Sequence, residues 1–296
     1  MSTAATEQLH DKAGGLDARP LSEIAEILAQ TQHDAARPPR HATAALCGGA
    51  LAMAGTIRTG GTLHYAAAGS SGLMAAADAL ELGGTFSIPA SQLRIHMAGG
   101  MPTGVEMPGG TEDETAELER ALDGLSSNDV YIGVSASGTT PYTVAGAKLA
   151  RRCGATVIGI ANNPDTDLLK LADHAVLLPT PAEVVSGSTR MGAGTAQKIA
   201  LNTLSTLMAI ELGHVHDGMM VNLRADNIKL RARARQIVMQ ISDVTEDIAT
   251  AAIETAGGNV KCAILIAAGA TDLADATARL ETTGGKLRPA LLSLNT

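Results

Sequence analysis

An α/β fold, built on a parallel sheet covered by helices on both faces, is what the sequence predicts. Three features lead there. Short apolar runs alternate with helical patterns from residue 62 to residue 178. The runs are apolar throughout rather than at every second position, as strands buried on both faces require. Their junctions with the helices are marked by glycine and serine, as strand-to-helix turns are.

The elements follow in order. "LSEIAEILAQ" carries Leu21, Ile24, Ile27 and Leu28 at helical spacing, and "RPPR" at 37–40 stops that helix. A second helix is expected over 41–59 and ends at Gly60-Gly61. "TLHYAAAG" then reads as a strand, "SSGLMAAADALEL" as a helix, and "LRIHMAGG" as a strand. After the loop "MPTGVEMPGG" an acid-rich helix is expected from about Thr111 to Leu122. "DVYIGVSASG", "TVIGIAN" and "HAVLLP" are strands separated by the helices "TPYTVAGAKLARRCG" and "DLLKLA". A long helix spans 193–212, and beyond Asn222 the pattern turns helical and charged. "KCAILIAAG" near the end reads as a strand. The expected organisation is an N-terminal helical arm over 1–40, a ligand-binding α/β domain over 41–221, and a mainly helical subdomain over 222–296.

Composition narrows the function. With 30 Asp+Glu against 22 Lys+Arg the net charge is −8, which argues against a nucleic-acid groove or an anionic membrane surface. Three tyrosines and one phenylalanine leave no aromatic platform for stacking bases or sugars. Cys47, Cys153 and Cys262 are far apart, lack metal-ligand spacing and read as small packed side chains. No apolar segment approaches the ~18 residues of a membrane span, and the polar N-terminus shows no signal-peptide pattern, so a cytoplasmic protein is expected. His64 and His96 fall inside strands, where packing explains them. His214 and His216 have only Asp217 nearby, so no metal is assigned, and no cofactor is expected. Met208, Met219 and Met220 read as core or interface, and "RARAR" at 231–235 as a helix face.

Two strand-to-helix turns carry chemistry. "AAGSSG" (67–72) and "SASGTTP" (135–141) each place free main-chain N–H groups and the positive end of a helix at a strand's carboxyl edge. Glycine lets the chain approach an anion, and hydroxyls add donors. Either turn alone is explained by serine capping. Two at successive junctions of one parallel sheet point to an anion site at Ser70, Ser71, Ser135, Ser137, Thr139 and Thr140. Neither matches a dinucleotide or P-loop fingerprint. On its own pattern Glu112 reads as part of the solvated, acid-rich start of a helix. Glu81 sits on a helix of Ala, Leu, Met and Gly, either at an edge or desolvated for a purpose.

With these turns, "EVVSGSTRMGAGTAQKIALNTLSTLMAIELGHVHDGMMVNL" (183–223), "DALELGGTF" (78–86), "GGTED" (109–113) and "LETTGGKLR" (280–288) make the chain resemble the N-acetylmuramic acid 6-phosphate etherases. The resemblance spans nearly the whole chain and is weakest over the first 40 residues. It implies a three-layer sandwich of the sugar isomerase (SIS) type with a small C-terminal helical part, acting as a homodimer without metal or cofactor. It implies cleavage of the D-lactyl ether of a 6-phosphosugar, with Glu81 and Glu112 catalytic and with Ser188 and Arg190 joining the hydroxyls on the phosphate. Leu73, Thr139 and Gly192 stand where that family carries cations, and Gly83-Gly84 where it has a proline pair. Ten residues separate Ser71 from Glu81, roughly 15 Å of helix, more than a sugar phosphate spans. The pocket is therefore expected to be shared with a partner subunit. An aldose–ketose isomerase and a non-catalytic sugar-phosphate sensor are the alternative readings. Elimination needs both glutamates, isomerisation needs one, and a sensor needs neither.

Overall fold

The computed structural model describes residues 4–107, 109–223, 225 and 227–295. They divide into two compact units, one formed by residues up to Leu80 with Ser91–Ser205, the other by Glu81–Ala90 with Thr206 onward.

The first unit opens with helices α1 (Leu21–Ala35) and α2 (Thr43–Arg58). Strands β1 (Leu63–Ala67), β2 (Leu93–Met97), β3 (Val130–Ser135), β4 (Thr156–Ala161) and β5 (His174–Leu177) then alternate with α3 (Gly69–Phe86), α4 (Ala116–Ala121), α5 (Pro141–Arg152) and α6 (Asp167–Leu171). All neighbours in the sheet are parallel, in the order β2-β1-β3-β4-β5. Residues of β1 and β3 are buried throughout, in keeping with their uninterrupted apolar sequences. One face packs Tyr131 and Leu168 with Leu118 of α4, Leu122 just past it, and Tyr142 and Ala147 of α5. On the other face lie α2, α3 and α7 (Gly192–Glu211). A Cβ on Gly49 of α2 would meet both Leu204 of α7 and Ile158 of β4. A Cβ on Gly72 of α3 would meet the Met97 side chain at 3.0–3.1 Å. The chain is thus a three-layer α/β sandwich over this unit, as the strand pattern predicts.

Helix α4 is shorter than the acid-rich pattern suggests. Glu112 stays in the loop ahead of it, because its carbonyl oxygen accepts the Tyr142 N–H of α5 at 2.9 Å.

His64 and His96 form a stacked pair towards the β2 edge of the sheet. Their rings are 5° from parallel with centroids 5.3 Å apart, and His64 Nδ1 lies 3.0 Å from His96 Nε2. Burial, above all, keeps both neutral: the His64 pKa is lowered, and that of His96 falls to about 4, helped by His64 and Arg94. Unfolded histidine takes up its proton near 6.5. Between that pH and about 4 the unfolded chain therefore binds more protons than the folded one, and stability falls on acidification. The urea midpoint should drop between pH 7 and pH 5, and His96→Asn should flatten that drop. An unchanged slope would contradict it.

The second unit contains the end of α3, the hairpin β6 (Val215–His216) and β7 (Met219–Met220), and helices α8 (Ile228–Ser242), α9 (Glu246–Thr255), α10 (Val260–Ala267), α11 (Leu273–Thr282) and α12 (Leu287–Leu292). The Asp217-Gly218 turn of the hairpin has positive φ at both residues, the conformation an Asp-Gly pair supplies. The segment expected to be a strand, "KCAILIAAG", is instead α10. It starts at Asn259, whose side chain accepts the Cys262 N–H, and it is buried on all sides from Val260 to Leu265. A helix surrounded by α8, α9, α11 and α12 shows no polar stripe, so its period is invisible in sequence. Lys261, within it, is half a structural clamp: its Nζ donates to Gly285 O at 3.0 Å, and burial lowers its pKa to about 8.

Candidate active site

The two serine-rich turns meet at the carboxyl edge of β1 and β3, which are neighbours in register at Ala67 and Val134. In the first, Gly69 opens α3 with φ +55°, and Ser70 and Ser71 occupy its first turn. Ser71 is buried and Ser70 half-buried.

The second turn gathers its four hydroxyl residues into one cluster. Ser135 Oγ lies 2.8 Å from Thr140 Oγ1 and 3.2 Å from Ser137 Oγ. Thr139 donates both its main-chain N–H and its hydroxyl to Ser137 Oγ, each at 3.2 Å. Gly138 donates its N–H to Ser135 Oγ at 2.9 Å. Gly138 has φ +74°, and a Cβ there would stand 2.4 Å from Thr166 Oγ1, so only glycine fits. The cluster stands at the N-terminus of α5, where Pro141 holds the first position. Hydroxyls that satisfy one another when empty can turn towards an anion's oxygens without leaving a buried group unpaired.

Glu112 joins the two turns. Its main chain is fixed to α5 through Tyr142, and its Oε1 lies 3.3 Å from where a Cβ on Gly69 would be. A side chain at residue 69 would crowd that carboxylate. Of the expectation from Glu112's own pattern, the solvent exposure holds and the helical placement is corrected. The residue lies in the loop with its carboxylate against the start of α3.

Glu81 is exposed, and among the described residues it has no hydrogen-bond or ion-pair partner. It belongs to the second unit, ten residues along α3 from Ser71. The buried acid of that helix is Asp78, which sequence reasoning passed over. Its Oδ1 accepts Asn202 Nδ2 at 2.7 Å and Ser205 Oγ at 2.8 Å from α7, and its Oδ2 accepts the Tyr65 hydroxyl at 3.1 Å. Burial and the Asp78 charge hold the Tyr65 pKa well above the ordinary phenol value, so the phenol stays a donor.

Ser188 and Arg190 lie together rather than within the hydroxyl cluster. They line a cavity of about 130 Å³ with Leu28, Thr31 and Gln32 of α1 and with Glu183. Arg190 is exposed and has no ion-pair partner among the described residues. The loop bearing them is closed by Glu183, a second residue the sequence reading missed. Its buried carboxylate accepts the Gly192 and Ala193 N–H groups, each at 2.9 Å, at the start of α7. A residue spacing of nine gives little warning of such a cap. At the three positions that lack cations, Leu73 is exposed, Thr139 belongs to the hydroxyl cluster, and Gly192 donates to Glu183. Among the described residues, no group of three or more His, Cys, Asp or Glu side chains is arranged to hold a metal ion.

Comparison with known proteins agrees with this architecture. Residues 111–204 match the SIS domain family. The chain is 41% identical over 263 residues to an N-acetylmuramic acid 6-phosphate etherase of Deinococcus radiodurans, covering 88% of this chain and 86% of the relative. It is 37% identical to the etherase of Streptomyces avermitilis, covering 98% and 94%. Among solved structures, a putative phosphosugar isomerase involved in capsule formation from Bacteroides fragilis superposes with a TM-score of 0.53 at 22% identity. That match covers 67% of this chain and 94% of the other, and it shows a shared fold. With identities of this size over nearly its full length, the chain belongs to the N-acetylmuramic acid 6-phosphate etherase family.

Proposed function

We propose that the protein cleaves the D-lactyl ether of N-acetylmuramic acid 6-phosphate, giving D-lactate and N-acetylglucosamine 6-phosphate. The observation that carries this reading is the position of Glu112, a carboxylate held at the rim of two hydroxyl-bearing anion turns. The phosphate occupies Ser70, Ser71, Ser135, Ser137, Thr139 and Thr140, and Ser188 and Arg190 add donors and the one positive charge of this set. Ring opening exposes an aldehyde at C1, which acidifies the C2 proton. One glutamate takes that proton, the electron pair forms the C2=C3 bond, and the C3–O bond breaks. The other glutamate gives its proton to the departing lactate oxygen. Water then adds at C3, and a proton returns to C2. Glu81 is assigned as the acid that protonates lactate and later activates water, and Glu112 as the base.

In this reading the working form is a homodimer, with the active site near the subunit interface. Support comes from α3, whose face carrying Glu81 also exposes Leu73 and Leu80, the latter 68% accessible in the single chain. Leu80→Glu should convert the dimer to a monomer in light scattering and lower lactate release. A dimeric, fully active variant would count against the shared site. A 6-phosphosugar is charged and does not cross a membrane unaided, in keeping with a cytoplasmic reaction.

The direct test is incubation with N-acetylmuramic acid 6-phosphate in deuterated water. Lactate release with deuterium at C2 of the product is expected. Interconversion of aldose and ketose phosphates without lactate would favour the isomerase reading, and binding without any exchange the sensor.

A further inference from the structure

The hydroxyl cluster of the second turn is held from beneath by Asn163, and Asn163 is held by the N-terminal arm. The amide of Asn163, which is buried, donates from Nδ2 to Ala136 O at 3.2 Å and more weakly to Ser137 O at 3.5 Å. The same nitrogen donates to Thr6 Oγ1 at 3.2 Å, and Oδ1 accepts the Ala5 N–H at 2.9 Å. Thr6, in the short 3-10 turn Ala5–Glu7, is itself only 3% exposed although it lies almost at the chain's start. We infer that residues 5–6 and Asn163 are positioning residues for the sugar-phosphate cradle, and that docking of the arm and binding of the phosphate favour one another.

The argument runs through the orientation of one amide. An asparagine side chain has an acceptor on one side and two donors on the other. With the Ala5 N–H in place, Oδ1 faces the arm and Nδ2 faces the turn. Without it, nothing opposes the flipped amide except contact of Oδ1 with the Ala136 and Ser137 carbonyls, and a buried Oδ1 is left unpaired. Those two carbonyls belong to the peptide planes that carry the Ser137 and Gly138 N–H groups. The Gly138 N–H is the one that donates to Ser135 Oγ. Rotating those planes therefore disperses the hydroxyls that face the ligand. The neighbouring Asn162 reinforces the same point from the sheet: its N–H donates to Ala136 O, and its Oδ1 accepts Gln197 Nε2 of α7 at 3.0 Å. The arm thus supplies the last partner of a hub that ties the turn to β4 and α7. Because linkage is reciprocal, a ligand that prefers the ordered turn stabilises the docked arm by the same factor.

This inference rests on the sugar-phosphate reading of the turns, and its test is kept separate from lactate release. Binding of N-acetylglucosamine 6-phosphate by the full chain is measured calorimetrically, together with KM and kcat. Asn163→Ala should raise Kd and KM about tenfold, and Thr6→Val about threefold, with kcat within about twofold. Hydrogen exchange on the unmodified protein avoids any folding defect in the first variant. Saturating ligand should slow exchange of residues 4–8 by about threefold or more, alongside residues 134–141. Equal Kd values for parent and Thr6→Val, exchange at 4–8 that ignores bound ligand, or a parent that does not bind the ligand would each overturn it. A parent that binds the ligand but releases no lactate would instead sink the etherase reading and leave this comparison intact.

Discussion

Glu112→Gln is expected to lower kcat for lactate release by about three orders of magnitude, the size of a lost general acid–base step. The affinity for N-acetylglucosamine 6-phosphate should stay within about threefold. The amide keeps the shape of the carboxylate beside Gly69 but cannot accept the C2 proton. The anchor that holds residue 112 is its main-chain oxygen on Tyr142, which the substitution leaves untouched. Folding should therefore be unaffected, and the loss can be assigned to chemistry. Glu81→Gln should be equally inactive and equally stable, since Glu81 is exposed and bonds to none of the described residues. Deuterium exchange at C2 of the substrate, N-acetylmuramic acid 6-phosphate, then separates the two roles. The variant lacking the base loses exchange; the variant lacking the acid keeps exchange while releasing no lactate. Near-normal turnover by either variant would remove that residue from the mechanism.

How far the site was legible in the sequence depended on how far apart its partners lie along the chain. The two turns were legible because each is local: glycine, hydroxyls and a helix start fall within six or seven residues. The sheet was legible because β1 and β3 to β5 are apolar runs between turn signals. Asp78 was not, because its ligands Asn202 and Ser205 come 124 and 127 residues later. Glu81 stands out in the sequence as an acid on an apolar helix, yet it is exposed, and the buried acid is Asp78, one turn earlier. Asn163 was hidden for the same reason, since its partners Ala5 and Thr6 lie 158 and 157 residues away. The place of Glu112 outside the helix was not legible, because a row of acids ahead of a helix looks like its first turn. One long-range main-chain bond to Tyr142 keeps it outside.

Asp78→Ala should be the most destabilising single change at the site, by roughly 3–5 kcal/mol, because it removes the common acceptor of a buried polar network. Three donors converge on that carboxylate, from β1 and from two positions on α7; Tyr65 and Ser205 are buried and Asn202 is half-buried. Alanine leaves the Asn202 amide and the Ser205 hydroxyl without their acceptor and opens a void where the carboxylate stood. The Tyr65 hydroxyl is left fully buried. Asp78→Asn tests the account from the other side. It fills the same volume, and its oxygen serves Asn202 and Ser205, while its NH₂ faces a Tyr65 hydroxyl that can rotate to accept. Its cost should be smaller, roughly 1–2 kcal/mol, for exchanging a charge-assisted bond for neutral ones. Urea unfolding of the three proteins measures both values. The same pair reports on function, because Asp78 ties α3 to α7 two turns beyond Ser70 and Ser71. If that tie aims the first turn at the ligand, KM should rise in the order parent, Asp78→Asn, Asp78→Ala at temperatures where all three are folded. A stable Asp78→Ala protein with parental KM would show that α3 is held by its apolar packing alone.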